Sequence, residues 1–144
     1  MIDLIKQRRS IRQYTNQPVT DEQVRLLLEA AMAAPSGSAL DPWHFIVVRN
    51  AETRAKLAAT HTFSDMCSRA PIVIAICGDE KLSPHWIADC AAATAALSIS
   101  GPPSACTVII ATPRSVAART AFATVFGMSW NFRSRKTSPP RSRI

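Results

Sequence analysis

Three groups of side chains in this 144-residue sequence have types and spacings that suit chemistry. The first is Arg8-Arg9-Ser10-Ile11-Arg12, which ends a short N-terminal stretch that reads as a helix. Guanidinium groups beside a hydroxyl suit a phosphate, because the planar fork of arginine gives paired, charge-assisted hydrogen bonds to its oxygens. The same residues would also serve to complement the negative end of a helix, or simply be solvated. The second group is the segment Ala34-Pro35-Ser36-Gly37-Ser38-Ala39-Leu40-Asp41-Pro42-Trp43-His44-Phe45. Its small residues let the backbone approach a ligand closely, and its hydroxyls and amides can donate to ring heteroatoms or phosphate. The competing reading is an ordinary helix-to-strand connection, with Trp43 and Phe45 as core anchors. The third group, His85-Trp86-Ile87-Ala88-Asp89-Cys90, sets a His and an Asp four residues apart, as neighbours on adjacent helical turns. Pairs of this sort are mostly structural, and no catalytic role is assigned to it.

The elements that must position these groups follow from periodicity. Thr20-Asp21-Glu22-Gln23 is a capping-box pattern, and Val24, Leu27, Leu28 and Ala31 follow at helical spacing, which predicts a helix over about residues 21–34. Phe45-Ile46-Val47-Val48 and Pro71-Ile72-Val73-Ile74-Ala75-Ile76-Cys77 are short and nearly all apolar. Runs of this kind are expected of strands buried on both faces. Ala51 to Thr60 reads as a helix between them. A further helix is predicted from Ser83 as N-cap and Pro84 as first residue, running through Trp86, Ile87, Cys90, Ala91, Thr94 and Leu97. The order helix, helix, strand, helix, strand, helix implies an α/β or α+β sandwich around a covered sheet.

Composition bounds the class. A chain of this length at 47% hydrophobic residues supports one domain with a real core. Charge falls within the first six residues, with no apolar run of signal-peptide length behind it, so a cytoplasmic protein is expected. No window approaches the roughly 20 apolar residues that a bilayer crossing needs, so no membrane partner is expected. Cys67, Cys77, Cys90 and Cys106 lack a C-x-x-C spacing and sit in apolar or helical contexts. They read as buried free thiols, not as a metal site or a disulfide framework.

The net charge of +7 is unevenly distributed. Residues 1–97 hold ten Lys/Arg and ten Asp/Glu, whereas residues 98–144 hold seven Lys/Arg and no carboxylate, the last being Asp89. Five of the ten prolines also fall after residue 97, and Ser, Thr and Arg make up 19 of those 47 residues. The change of character near Leu97 divides the chain into an N-terminal part, 1–97, and an atypical basic tail, 98–144. No base-reading module or aromatic platform accompanies Arg133, Arg135, Lys136, Arg141 and Arg143, so specific nucleic-acid binding is not expected.

In order along the chain, the first part resembles the nitroreductase family of flavoproteins. The matching features are Arg-Arg-Ser-x-Arg at 8–12 with Tyr14 and Pro18-Val19, the helix ending Ala-Ala-Pro-Ser-Gly-Ser, and Pro42-Trp-His-Phe-Ile-Val-Val48. The Ala70-Pro-Ile-Val-Ile74 strand and the Asp89-Cys90-Ala91-Ala92-Ala93 helix complete them. The resemblance implies an α+β fold, a three-layer sandwich with a central mixed sheet covered by helices. It also implies a homodimer holding FMN at its interface, reduction by NADH or NADPH, and ping-pong transfer to a nitroaromatic, quinone or similar small acceptor. Carried over by position, Arg8, Arg9, Ser10 and Arg12 would contact the FMN phosphate and ribityl chain. Pro35, Ser36, Gly37 and Ser38 would form the loop that approaches the isoalloxazine from the partner subunit. Because the hydride chemistry belongs to the flavin, no catalytic acid or base and no metal is expected.

Two positions depart from the pattern. Ala39 stands where the family usually has Asn, removing an amide that would bond a polar edge of the flavin, and Asp41 stands where it has Gln. Pointing inward, the Asp41 carboxylate would disfavour an anionic reduced flavin and lower its potential, whereas capping a local turn it would change nothing. The larger departure begins at Ser98-Ile99-Ser100-Gly101-Pro102-Pro103, expected to break the helix. Beyond it, Cys106 to Ala111 reads as a strand, Pro113 to Phe122 as a short helix and 129–144 as disordered. The C-terminal part of the fold is accordingly expected to be incomplete or aberrant, as an out-of-frame translation from about residue 97 would make it. The alternative function is then a non-catalytic remnant whose basic tail binds anions without specificity.

Overall fold

The computed structural model describes residues 2–15, 17–100 and 106–111, and for residues 4, 100 and 106–111 it describes the backbone alone. The expected helix at 113–122 and the expected disorder at 129–144 lie outside the described residues. Elements run in the order α1 (Ile2–Gln7), α2 (Asp21–Met32), a 3-10 turn (Gly37–Ala39), β1 (Trp43–Val48), α3 (Ala51–Ala58), α4 (Met66–Arg69), β2 (Ile72–Gly78), α5 (Trp86–Ser100) and β3 (Cys106–Ala111). The order expected from the sequence is recovered, with α4 and the 3-10 turn added.

The predicted capping box is present at α2. Thr20 Oγ1 accepts from the Gln23 amide at 3.2 Å, and Gln23 Oε1 accepts from the Thr20 amide at 2.9 Å. Two amides that would otherwise lack partners at a helix start are satisfied in this way. Arg49, just past β1, donates to the Val19 carbonyl at 2.8 Å and to Asp21 at 2.6 Å, which fixes the entry of α2 against the strand. Asn50 caps α3 by accepting from the Thr53 amide at 2.9 Å.

The sheet has the order β1-β2-β3 and is mixed. β1 runs antiparallel to β2, with Trp43 opposite Gly78 and Val48 opposite Val73, and β2 runs parallel to β3, with Ile72 beside Cys106 and Cys77 beside Ala111. Side chains alternate across it as the pleat requires. Ile72, Ile74 and Ile76 join Trp43, Val24, Leu27 and Ala31 of α2, and Trp86, Cys90, Ala93 and Leu97 of α5 in one buried cluster. Val73 faces the other way, joining Val48, Leu57, Cys67 and Ala70 against α3 and α4. Helices on both faces make the three-layer α+β sandwich expected.

Two expectations need correction. Burial on both faces holds for β2, all seven of whose residues are buried, but not for β1. β1 is an edge strand among the described residues, so residues 44–47 are only half-buried. The last helix starts at Trp86 instead of Pro84, because a turn closed by the Trp86 amide on the Ser83 carbonyl (3.3 Å) comes first. Its described part reaches Ser100, inside the Ser98–Pro103 segment expected to break it, and Gly101–Pro103 lie outside the described residues. Thr94 and Ser98 donate their hydroxyls to the carbonyls four residues back, at 2.7 and 2.8 Å, and so fit within the helix instead of ending it.

Candidate functional site

The arginine cluster leaves the C-terminal end of α1 as an exposed segment. Arg9 Nη1 donates to the carbonyls of Lys6 (2.6 Å) and Arg8 (2.9 Å), so it does complement a helix end. Arg12 Nη1 donates to the Ser10 carbonyl at 3.2 Å. Arg8, Arg9, Ser10 and Arg12 are all exposed, and among the described residues none of the three arginines pairs with a carboxylate. Three uncompensated guanidinium groups within five residues leave a concentration of positive charge facing solvent.

The loop after α2 is unusual in its backbone. Ser38, Ala39 and Asp41 all adopt positive φ, at 54°, 53° and 47°. For non-glycine residues each such conformation costs about 1 kcal/mol or more and persists only where the surroundings hold it. Two sets of bonds hold it here. Ser36 Oγ donates to Asp41 Oδ1 at 2.6 Å and accepts from the Asp41 amide at 3.1 Å, closing the loop on itself. The Gly37 amide donates to Asp89 Oδ1 at 2.9 Å, anchoring the loop to the first turn of α5. Pro35 and Ser38 remain exposed while Ser36 and Gly37 are half-buried. Asp41 is therefore a turn-closing residue, the reading under which its charge leaves a neighbouring ligand unperturbed.

Asp89 is the residue of this candidate site whose contacts sequence reasoning passed over. It is 5% exposed, and its second oxygen accepts from the Ser83 hydroxyl at 3.2 Å, while Ser83 Oγ accepts from the His85 amide at 3.1 Å. His85 and Asp89 do not form a side-chain pair. Their link is the ordinary helical bond from the Asp89 amide to the His85 carbonyl, at 3.0 Å. His85 instead lies over Gly37, where a Cβ would come 2.8 Å from its Cδ2. The fourfold spacing showed a helix face, and the partner of Asp89 was 52 positions away.

Behind this site the Cys77 and Cys90 thiols are pushed up to about 12 and about 11, chiefly by burial. Cys67, also buried, is raised by burial and by Asp65. The expectation of buried free thiols holds for these three, and the side chain of Cys106 lies outside the described residues. His44, in β1, is lowered by burial, with Asp79 opposing. Among the described residues no three metal-ligating side chains gather, and no helix is long and apolar enough to cross a membrane.

No hydrogen bond or ion pair among the described residues joins the Arg8–Arg12 segment to the Pro35–Ser38 loop. Within one chain they are two separate patches. Their donor chemistry fits the two ends of a flavin mononucleotide: unpaired guanidinium groups for the phosphate, and an exposed small-residue loop for the ring.

Residues 5–66 match the Nitroreductase family. A protein of Archaeoglobus fulgidus, provisionally named NADH dehydrogenase/NAD(P)H nitroreductase, is 43% identical over 97 residues, covering 65% of this chain and 56% of its own length. The chain thus spans little more than half of that relative. A crystal structure of a similarly named protein from Bacteroides thetaiotaomicron superposes with a TM-score of 0.75 at 29% identity, covering 89% of this chain and 77% of the other. A provisionally named nitroreductase of Desulfovibrio desulfuricans, solved in complex with FMN, superposes with a TM-score of 0.63 at 34% identity, covering 69% of this chain and 60% of the other. The chain has the nitroreductase fold, and its residues 5–66 match the family's sequence pattern.

Proposed function

We propose that the chain acts as an FMN-dependent oxidoreductase, passing electrons from NADH or NADPH to a nitroaromatic, quinone or similar small acceptor. The observation that carries this reading is the cluster of three exposed arginines without carboxylate partners, in the stretch that matches the family. Arg8, Arg9 and Arg12 would hold the phosphate, with Ser10 as a further donor. Arg9 would exchange its bonds to the Lys6 and Arg8 carbonyls for phosphate oxygens. Pro35, Ser36, Gly37 and Ser38 would line the ring, with the Ser36–Asp41 bond keeping the loop closed. FMN supplies the hydride chemistry when bound, and the protein contributes position, charge and an open face for substrate.

A homodimer would bring the two patches of different subunits together. Ile2 and Ile5, 64% and 56% exposed on one side of α1, support such an arrangement as an apolar face that a second copy would cover. A cytoplasmic setting is proposed with it.

The test is the visible absorbance of the purified full chain, followed by addition of NADH or NADPH. A yellow protein that bleaches is expected. A colourless chain that FMN fails to reconstitute would overturn the reading. In a protein that does bind, Arg8→Ala and Arg12→Ala should each weaken FMN binding roughly 10–100-fold, the worth of one charge-assisted hydrogen bond.

A second reading is supported by the charge boundary near residue 97 and by a relative whose match ends after 97 aligned residues. On it, residues 98–144 are a frameshifted tail and the chain is a remnant without productive FMN binding. Anion binding by the basic tail would fall steeply with salt, unlike FMN held in a pocket by stacking and hydrogen bonds.

A further inference from the structure

Asp89 carries more than the cap of a helix. Its carboxylate is buried, yet the groups it satisfies belong to two different segments: the Gly37 amide of the loop at 2.9 Å and the Ser83 hydroxyl of the turn before α5 at 3.2 Å. The loop it holds contains three non-glycine residues at positive φ. Left alone, such a loop would relax toward ordinary conformations, because every one of those residues is more stable elsewhere. Asp89 is the contact that couples this strained loop to α5, and Ser83, fully buried, holds the carboxylate in turn. His85, whose amide donates to Ser83 Oγ, packs its ring on Gly37 and closes the circuit.

We infer that Asp89 is a positioning residue for the ring-facing loop, keeping Ser36, Gly37 and Ser38 in the strained shape that a planar ligand meets. The inference rests on the flavin reading for the identity of the ligand, but not for the clamp itself. A loop ordered only part of the time binds more weakly by that fraction. Loss of a hydrogen bond to a buried charge, if it appeared wholly as loop disorder, would weaken binding about 10–100-fold.

The experiment combines amide hydrogen exchange with FMN titration, followed by quenching of flavin fluorescence, on the full chain, Asp89→Asn and Ser83→Ala. Asp89→Asn keeps an oxygen for Gly37 and removes the charge. Ser83→Ala leaves the charge and removes its support, and so serves if the first variant folds poorly. The expected result is exchange at residues 36–41 at least about tenfold faster in both variants, with the amides of β2 unchanged and the FMN dissociation constant rising in step. Unchanged exchange in the loop would overturn the inference. So would loop and β2 amides accelerating together in both variants, the signature of lost global stability alone. If the full chain binds no FMN at all, the flavin reading fails, while the exchange comparison still decides the clamp.

Discussion

Two glycines of this chain should pay very different costs for an alanine. A Cβ on Gly78, at the end of β2, would sit 2.3 Å from Trp86 Cε3 and 3.0 Å from Cys90 Sγ. Both neighbours are core residues, Trp86 being 6% exposed and Cys90 fully buried, and they pack within the cluster that joins β2 to α5. Neither can retreat without displacing the helix, so the methyl group must be accommodated by moving α5 off the sheet. Overpacking of this kind costs about 1–3 kcal/mol, and a contact well inside van der Waals distance places Gly78→Ala at about 3 kcal/mol or beyond. A Cβ on Gly37 would also be too close to its neighbour, at 2.8 Å from His85 Cδ2. His85 is exposed, however, so its imidazole can swing into solvent and only its Cβ, at 3.1 Å, must give by a few tenths of an ångström, and Gly37→Ala should cost about 1 kcal/mol. Urea denaturation followed by tryptophan fluorescence would measure both. With a slope of about 2 kcal/mol per molar urea, the midpoint should fall by roughly 1.5 M for Gly78→Ala and by about 0.5 M for Gly37→Ala. Equal losses, or a larger loss at Gly37, would refute the argument that the mobility of the neighbour decides the cost.

Burial and the raised pKa values of Cys77 and Cys90, about 12 and about 11, predict thiols inert to iodoacetamide in the native protein at mildly alkaline pH and reactive only on unfolding. Rapid native labelling of either, read by peptide mass, would contradict the packing of α5 on β2. His44 is held below its ordinary value of 6.5 by burial, so on acidification the unfolded chain takes up this proton first. Its contribution to stability is complete above that value and declines as the pH falls below it. His44→Gln should flatten the loss of stability between about pH 7 and 5.5, and an unaltered slope in urea titrations would count against the assignment. Thr20→Ala removes the hydroxyl half of the capping box and should cost about 1 kcal/mol, measured by the same titration.

What could be read from the sequence was whatever depends on near neighbours. The Thr20–Gln23 box spans four residues, and the apolar run 72–77 declares a buried strand by composition, so α2 and β2 appear as expected. The start of α5 differs from the expected Ser83–Pro84 entry, because a turn closed by the Trp86 amide on the Ser83 carbonyl comes before the first helical residue. Within the candidate site, residue types single out the two segments, but their geometry is not encoded locally. Positive φ falls on Ser38, Ala39 and Asp41 and not on the neighbouring Gly37, so the usual glycine signal points one residue too early. The anchor of that loop joins positions 37 and 89, and no local spacing encodes a bond between them.

The strand β3 bears on how the tail should be understood. Sequence likeness to the Archaeoglobus relative extends over 97 residues, yet Cys106–Ala111 pairs in parallel with β2 along its length. A parallel strand asks for little: a short β-branched apolar run and a crossover of a dozen or more residues to bring it alongside. Thr107, Val108, Ile109 and Ile110 supply the first, and residues 79–105, containing α5, supply the second. Pairing here thus follows from composition and from a crossover inside the matching part, and it is equally natural for a family continuation or for a chance apolar run. The fold match that covers 89% of this chain is what a family continuation would give, while the carboxylate-free composition of residues 98–144 is the observation behind a change of reading frame. A change of reading frame near residue 97 predicts that one of the other two frames of the coding DNA resumes with a Gly-containing turn and further strands. If neither frame resumes that pattern, the tail is this protein's own sequence, and the yellow or colourless state of the purified chain then reports on a fold the tail completes.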